Sequence, residues 1–175
     1  MVEIQTLIDQ SIEAVDKKDA LALRTISANA LTEAAVVGHR ELILMALVDY
    51  ALSKILSKIH YQEIDEKFYG KITDEFKKAR PGPKEETLKH LEVIEDLVIK
   101  LDEKEGRFED NVIEKAQIKK AANLYEKGFS LRRASEMTGA DPVRVLEYVG
   151  GSKIHEFRSP GKNAERLETA REVFG

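Results

Sequence analysis

The sequence predicts an all-α protein, a helical bundle followed by a C-terminal helix-turn-helix-like region. Three observations carry that reading. Apolar residues recur every three or four positions through most of the 175 residues, as on the buried stripe of a helix. The breaks between these stretches fall at Asp, Gly and Pro, which cap, end or interrupt helices. Alternating apolar and polar runs bounded by turn residues, the pattern of a half-buried strand, are scarce.

Each element follows from local pattern. Ile4, Leu7, Ile8, Ile12 and Val15 give a first amphipathic helix over residues 2–16. Asp19 is placed to cap a second, running to about Val37, with Gly38 as its stop. This second helix holds Ala20, Ala22, Ala28, Ala30, Ala34 and Ala35, small side chains that let a neighbouring helix approach closely. A third helix, from about His39 to His60, is apolar on most sides through LILMALVDYALSKIL and is expected to be the central core helix. Its surplus apolar surface is also a candidate dimer face. Ile64, Phe68, Ile72 and Phe76 mark a fourth helix over 61–79, stopped by Pro81-Gly82-Pro83. Leu88, Leu91, Ile94, Leu97, Val98 and Leu101 mark a fifth, from about Lys84 to Glu103. Gly106 marks a break before a sixth, from about Glu109 to Lys127. The expected total is eight or nine helices: an acidic N-terminal bundle over 1–106 and a basic C-terminal region over 107–175.

Composition limits the function classes. Hydrophobic residues make up 42% and charged residues 34%, which gives a core and a heavily solvated surface. No apolar run is long enough to span a membrane. The N-terminus lacks the basic, then apolar, then small-residue order of a secretion signal, so a cytoplasmic protein is expected. There is no cysteine, hence no disulfide and no thiolate metal site.

The net charge of −4 is unevenly spread. From Lys115 to Gly175 there are twelve Lys and Arg against eight Asp and Glu, leaving sixteen against twenty-four before it. Lys115 to Arg133 holds six basic residues, Lys115, Lys119, Lys120, Lys127, Arg132 and Arg133, and one acid, Glu126. Such a segment either steers a polyanion to one end of the molecule or forms an ordinary solvated helix face.

Within this region the stretch SLRRASEMTGADPVRVLEYV, Ser130 to Val149, suggests a task as well as a fold. Gly128 ends the preceding helix and Ser130 is a suitable N-cap. A short helix then runs to about Thr138. Gly139 supplies a tight turn, and Asp141-Pro142 restarts a helix with aspartate as cap and proline in the first turn. Val145 and Tyr148 are expected to pack back on Leu131, Ala134 and Met137, across the small Ala134 and Ser135. The order and spacing resemble the helix-turn-helix of DNA-binding proteins. The resemblance covers about 20 residues. It departs at Thr138, where an apolar residue is usual, and in the shortness of a second helix that meets Gly150-Gly151. Extended through GGSKIHEF, the stretch is also similar to the short helix-turn-helix of small archaeal antitoxin-like proteins, in which the helix pair precedes a partner-contacting segment.

The resemblance implies double-stranded DNA as partner, with the second helix in the major groove and Arg144 its basic candidate for base edges, beside Asp141 and Glu147. Arg132, Arg133 and Lys127 would meet phosphates. Lys115, Lys119, Lys153 and Arg158 extend the positive surface. A homodimer is expected. The rival is a protein-interaction module, antitoxin-like or a helical adaptor, in which the same hairpin packs on a partner protein and binds no nucleic acid. The tail, Ser159 to Gly175, follows a Pro160-Gly161 break and reads as a short amphipathic helix.

Signals for catalysis are weak. His39, His60, His90 and His155 form no spaced ligand pair. Glu63, Asp65, Glu66, Asp74 and Glu75, and Glu92, Glu95 and Asp96, read as solvated faces pairing with lysines such as Lys67 and Lys71. No nucleophile elbow or phosphate-cradling glycine loop occurs. No enzyme, metal or cofactor is expected.

Overall fold

The structure, a computed structural model, describes residues 3–57, 64–80, 82–104 and 111–157; of 104 and 152–157 it describes the backbone only. It is all-helical. Among the described residues there are eight helices: α1 (Ile4–Asp16), α2 (Ala20–Val37), α3 (Arg40–Ser57), α4 (Glu66–Ala79), α5 (Lys84–Lys104), α6 (Val112–Glu126), α7 (Leu131–Thr138) and α8 (Pro142–Phe157). None is long and apolar enough to cross a membrane. The tail, His60, Pro81, Gly106 and Arg158 lie outside the described residues.

The expected punctuation is in place. Asp19 caps α2, accepting from the backbone N–H groups of Leu21 at 3.0 Å and Ala22 at 2.9 Å. Gly38 closes α2 in the left-handed region, at φ 70°, where its N–H reaches the Ala34 carbonyl at 2.8 Å. Asp65 caps α4 and Asn111 caps α6. The α6 N-terminus gains a second partner: the Val112 N–H donates to Asp102 Oδ2 at 2.9 Å, tying α5 to α6.

The centre is α3. It packs on α2, α5, α6 and α7. Its residues from Glu41 to Asp49 are buried without interruption, and so are Ala51, Leu52, Ser53 and Ile55. The apolar surplus that offered a candidate dimer face is therefore covered, because the chain supplies enough helices to surround α3. The small face of α2 packs on it: Ala30 and Ala34 are fully buried, and the Ser27 hydroxyl donates to the Ala46 carbonyl of α3.

Polar links fasten the outer helices. Thr73 Oγ1 donates to Asp16 Oδ1 at 3.0 Å, and Arg80 meets Asp9 at 2.8 Å, both between α4 and α1. His90 Nδ1 lies 2.8 Å from Glu75 Oε2, joining α5 to α4. Burial raises the Glu75 pKa, but hydrogen bonds from Lys78 and His90 outweigh it and hold the carboxyl below its ordinary range.

The buried face of α3 also carries a carboxylate. Asp49 is fully buried; its Oδ2 accepts from Ser11 Oγ at 3.1 Å, while Oδ1 has no hydrogen-bond partner among the described residues. Desolvation drives its pKa well above the usual carboxylate value. Lys120 of α6 is the cation nearby. It is buried, with Nζ 4.8 Å from the centre of the Tyr50 ring, and desolvation lowers its pKa to about 8 against the attraction of Asp49. Lys120 therefore leaves the basic surface read from the sequence. Its position follows from helical phase: it shares the inward face of α6 with Ala116 and Leu124, four residues to either side.

Candidate nucleic-acid interface

Helices α6, α7 and α8 pack on one another, each against the other two. The turn between α7 and α8 is built as its residues dictate. Ser130 Oγ accepts from the Arg133 N–H at 3.2 Å, which starts α7. Gly139 ends it at φ 74°, a left-handed conformation that costs a residue with a Cβ more than it costs glycine. Asp141 Oδ1 then accepts from the N–H groups of Val143 at 2.7 Å and Arg144 at 3.1 Å, capping α8.

Ala134 and Ser135 are buried at the crossing, as their size predicts. Thr138, the departure from the usual apolar position, is buried too. Its Oγ1 donates to the Ala134 carbonyl at 2.9 Å, so the hydroxyl is satisfied within its own helix and the methyl is left for packing.

Two expectations for α8 are corrected. The inward residues are Val145 and Val149, both buried, and not Val145 and Tyr148. A spacing of four keeps a helical face, whereas Tyr148, one step earlier, is turned aside by about 100° per residue. Its hydroxyl meets Lys119 Nζ of α6 at 2.6 Å. Nor does Gly150-Gly151 end α8, which continues to Phe157. Neither glycine adopts a positive φ, so both continue the helix at an entropic penalty only.

Of the eight basic residues expected to meet DNA, the six whose side chains are described do not form one uniform surface. Arg132 and Arg133 stand exposed on the outer side of α7. The Arg132 side chain is 89% exposed and pairs with Glu136 one turn on, Nε to Oε1 at 2.7 Å. That bond holds the Glu136 carboxyl below its ordinary range. Lys127, at the end of α6, donates from Nζ to Thr32 Oγ1 of α2 at 2.9 Å. Arg144, exposed on α8, is ion-paired with Glu114 of α6. Lys115 is exposed and Lys119 partly so. Lys153 lies on α8, its side chain outside the described residues, as is the whole of Arg158.

Three of the eight, Lys115, Lys119 and Arg144, converge on a groove of about 550 Å³ between α3, α6 and α8. Lys54, Tyr50 and Tyr148 complete its walls. Sequence reasoning missed these three. The available signal was the polar interruption at the end of an otherwise apolar third helix, where Tyr50 and Lys54 are one turn apart.

The outer side of α8 has a second character. Val143 is 62% exposed and Leu146 48%, beside exposed Asp141 and Glu147. Among the described residues, no group of three or more His, Asp and Glu is placed to hold a metal ion. No protein-family description, curated protein or solved structure matches this chain.

Proposed function

We propose that this protein is a DNA-binding regulator that meets the duplex through the helix-turn-helix of residues 130–149. The observation that carries the reading is the three-helix unit itself. A capped α7, a left-handed Gly139 and a capped α8 are braced on α6, and the N-terminal half of α8, apart from Val145 and Val149, is left in solvent. That is what a helix entering the major groove requires. Arg133 has no ion pair among the described residues, and Arg132 needs only to release an exposed, solvent-screened i,i+4 partner to meet a phosphate. Arg144 is the candidate for base edges. It must exchange Glu114 for a base, which ties discrimination to that exchange. A homodimer belongs to the reading, since paired half-sites would double the few contacts that one short helix makes; its face is not α3.

The test is binding of the whole protein to random-sequence duplex DNA at two salt concentrations. Phosphate contacts give a steep loss of affinity with salt. Arg133→Ala should weaken binding to all sequences alike and reduce the salt slope by about one; Arg144→Ala should relax preference for a selected site. Absence of binding at low salt, or a wild-type salt slope in Arg133→Ala, would overturn the assignment.

A second reading is supported by Val143 and Leu146. Two large apolar side chains standing in solvent beside acids suit a protein partner better than a phosphate backbone, and make α8 the face of an interaction module. Val143→Ser with Leu146→Ser would then abolish capture of that partner and leave DNA affinity at wild-type level.

A further inference from the structure

The groove between α3, α6 and α8 brings together charged, aromatic and apolar residues. Its cations come from three helices: Lys54 from α3, Lys115 and Lys119 from α6, and Arg144 from α8. Glu147 is the single acid among its described lining residues, and Glu114 is the ion partner of Arg144. The floor is apolar, with buried Val112 and Ile118. Two aromatic rings face cations at its margins. Lys54 Nζ lies 5.3 Å from the centre of the Tyr50 ring and Lys119 Nζ 5.1 Å from that of Tyr148. A further cation, Lys120, lies beside the Tyr50 ring from within the core.

These features select a ligand class. Among the described lining residues four cations stand against one acid, which suits an anion with more than one charge, and phosphate oxygens accept from lysine and arginine donors at once. An apolar floor with tyrosine rings requires a flat, weakly polar body attached to that anion. A volume of about 550 Å³ lies inside the ordinary range of small-molecule sites. We propose that this groove binds a small phosphorylated ligand carrying a planar ring, of the nucleotide class, seated between the central helix and the helix-turn-helix. The phosphate would draw Arg144 from Glu114 and bridge it to Lys54, joining α8 to α3. The planar body would rest on Val112 and Ile118 between the two tyrosines. Occupancy does not depend on DNA binding by α7 and α8, although it takes up three of the cations assigned to that surface.

The experiment is calorimetric titration of the whole protein, without DNA and at low ionic strength, with ATP, GTP, adenosine and inorganic triphosphate. One-to-one saturable binding of a nucleotide is expected, with adenosine and triphosphate each at least about tenfold weaker, since each supplies half of the recognition. Lys54→Gln with Lys119→Gln should weaken the nucleotide at least about tenfold, and Lys71→Gln, on the exposed side of α4, should leave it unchanged. Should the double variant lose helicity in circular dichroism, the exposed Lys115→Gln replaces it with the same expectation. No heat with any nucleotide or with triphosphate up to about 5 mM would overturn the proposal, as would wild-type affinity in the groove variants. Loss of duplex binding in those variants without nucleotide binding by the wild type would also overturn it, and would give the groove to DNA. Arg133→Ala, outside the groove, separates the two surfaces: it bears on DNA binding and should leave nucleotide affinity unchanged.

Discussion

The helix pairs α2–α3 and α7–α8 are punctuated alike and buried very differently. Each first helix is capped by a short polar side chain, Asp19 or Ser130, and closed by a glycine in the left-handed region, Gly38 at φ 70° and Gly139 at φ 74°. Yet α3 is buried along nearly its whole length, whereas of the N-terminal half of α8 only Val145 and Val149 are buried. Local signals therefore set where a helical hairpin turns and do not set what it is for. The difference lies in the side chains between the caps. LILMALV leaves no side of α3 for water, and DPVRVLEYV leaves one stripe for the core and the remainder for something else.

The largest effects should separate the two second helices. Leu52→Ala, in the fully covered α3, should lower unfolding free energy by about 2–5 kcal/mol in denaturant titration, through lost transfer energy and a cavity. Leu146→Ala, nearly half exposed on α8, should change it by no more than about 0.5 kcal/mol. A comparable loss at Leu146 would mean that the outer face of α8 is covered in solution, and the contrast between the pairs would break.

The glycines sharpen the comparison at a smaller scale. Gly38→Ala and Gly139→Ala should each cost about 1 kcal/mol, because both require a positive φ. A Cβ at Gly38 meets nothing within 4 Å; at Gly139 it meets the Gln117 side-chain amide at 3.2 Å, which must give by a few tenths of an ångström. A much larger loss at Gly139 would show that the α7–α8 turn is held from outside its own backbone, by α6.

A further effect, read through its pH dependence, concerns the buried polar pair between α3 and α6. Asp49→Asn keeps a partner for Ser11 and removes a carboxyl whose charged form burial disfavours, so its stability relative to the wild type should rise between pH 5 and 7.5. The sign with pH is definite. With its folded pKa raised, Asp49 binds more protons native than unfolded, and the wild type loses stability as pH rises above the ordinary carboxylate value. The variant therefore gains on the wild type from about pH 4 upward. Lys120 acts oppositely in both proteins: its pKa of about 8 lies below the unfolded value, so the penalty for burying its charge is relieved as pH climbs beyond 8. Thermal melts at pH 5 and 7.5 would decide the Asp49 assignment; an equal shift at both would refute it.

Most of the fold was legible without coordinates. Asp19, Gly38, Ser130, Gly139 and Asp141 act within a few residues of chain, so their roles can be read from sequence alone. The apolar stripes fixed the helices, with ends shifted by a few residues: α3 begins at Arg40 and ends at Ser57, and α6 begins at Val112. The candidate site was legible only in part. Ser130 to Val149 announced its turn, but the partners of its arginines did not follow from spacing. Arg132 meets Glu136 one turn away, which spacing allows, while Arg144 meets Glu114 thirty residues earlier.

What the sequence determined by itself is the all-helical class, the positions of the turns, and which stripe of each helix seeks the core. These depend on short-range sterics and on a period of 3.6 residues. Tertiary structure alone decided which charges remain in water. Lys120 and Lys119 are neighbours in α6 with the same side chain, yet one is buried beside Asp49 and Tyr50 and the other reaches Tyr148 at the edge of a groove. A charge reports its own solvation in sequence, but desolvation is set by which helices close over it, and those lie about 30 to 70 residues away.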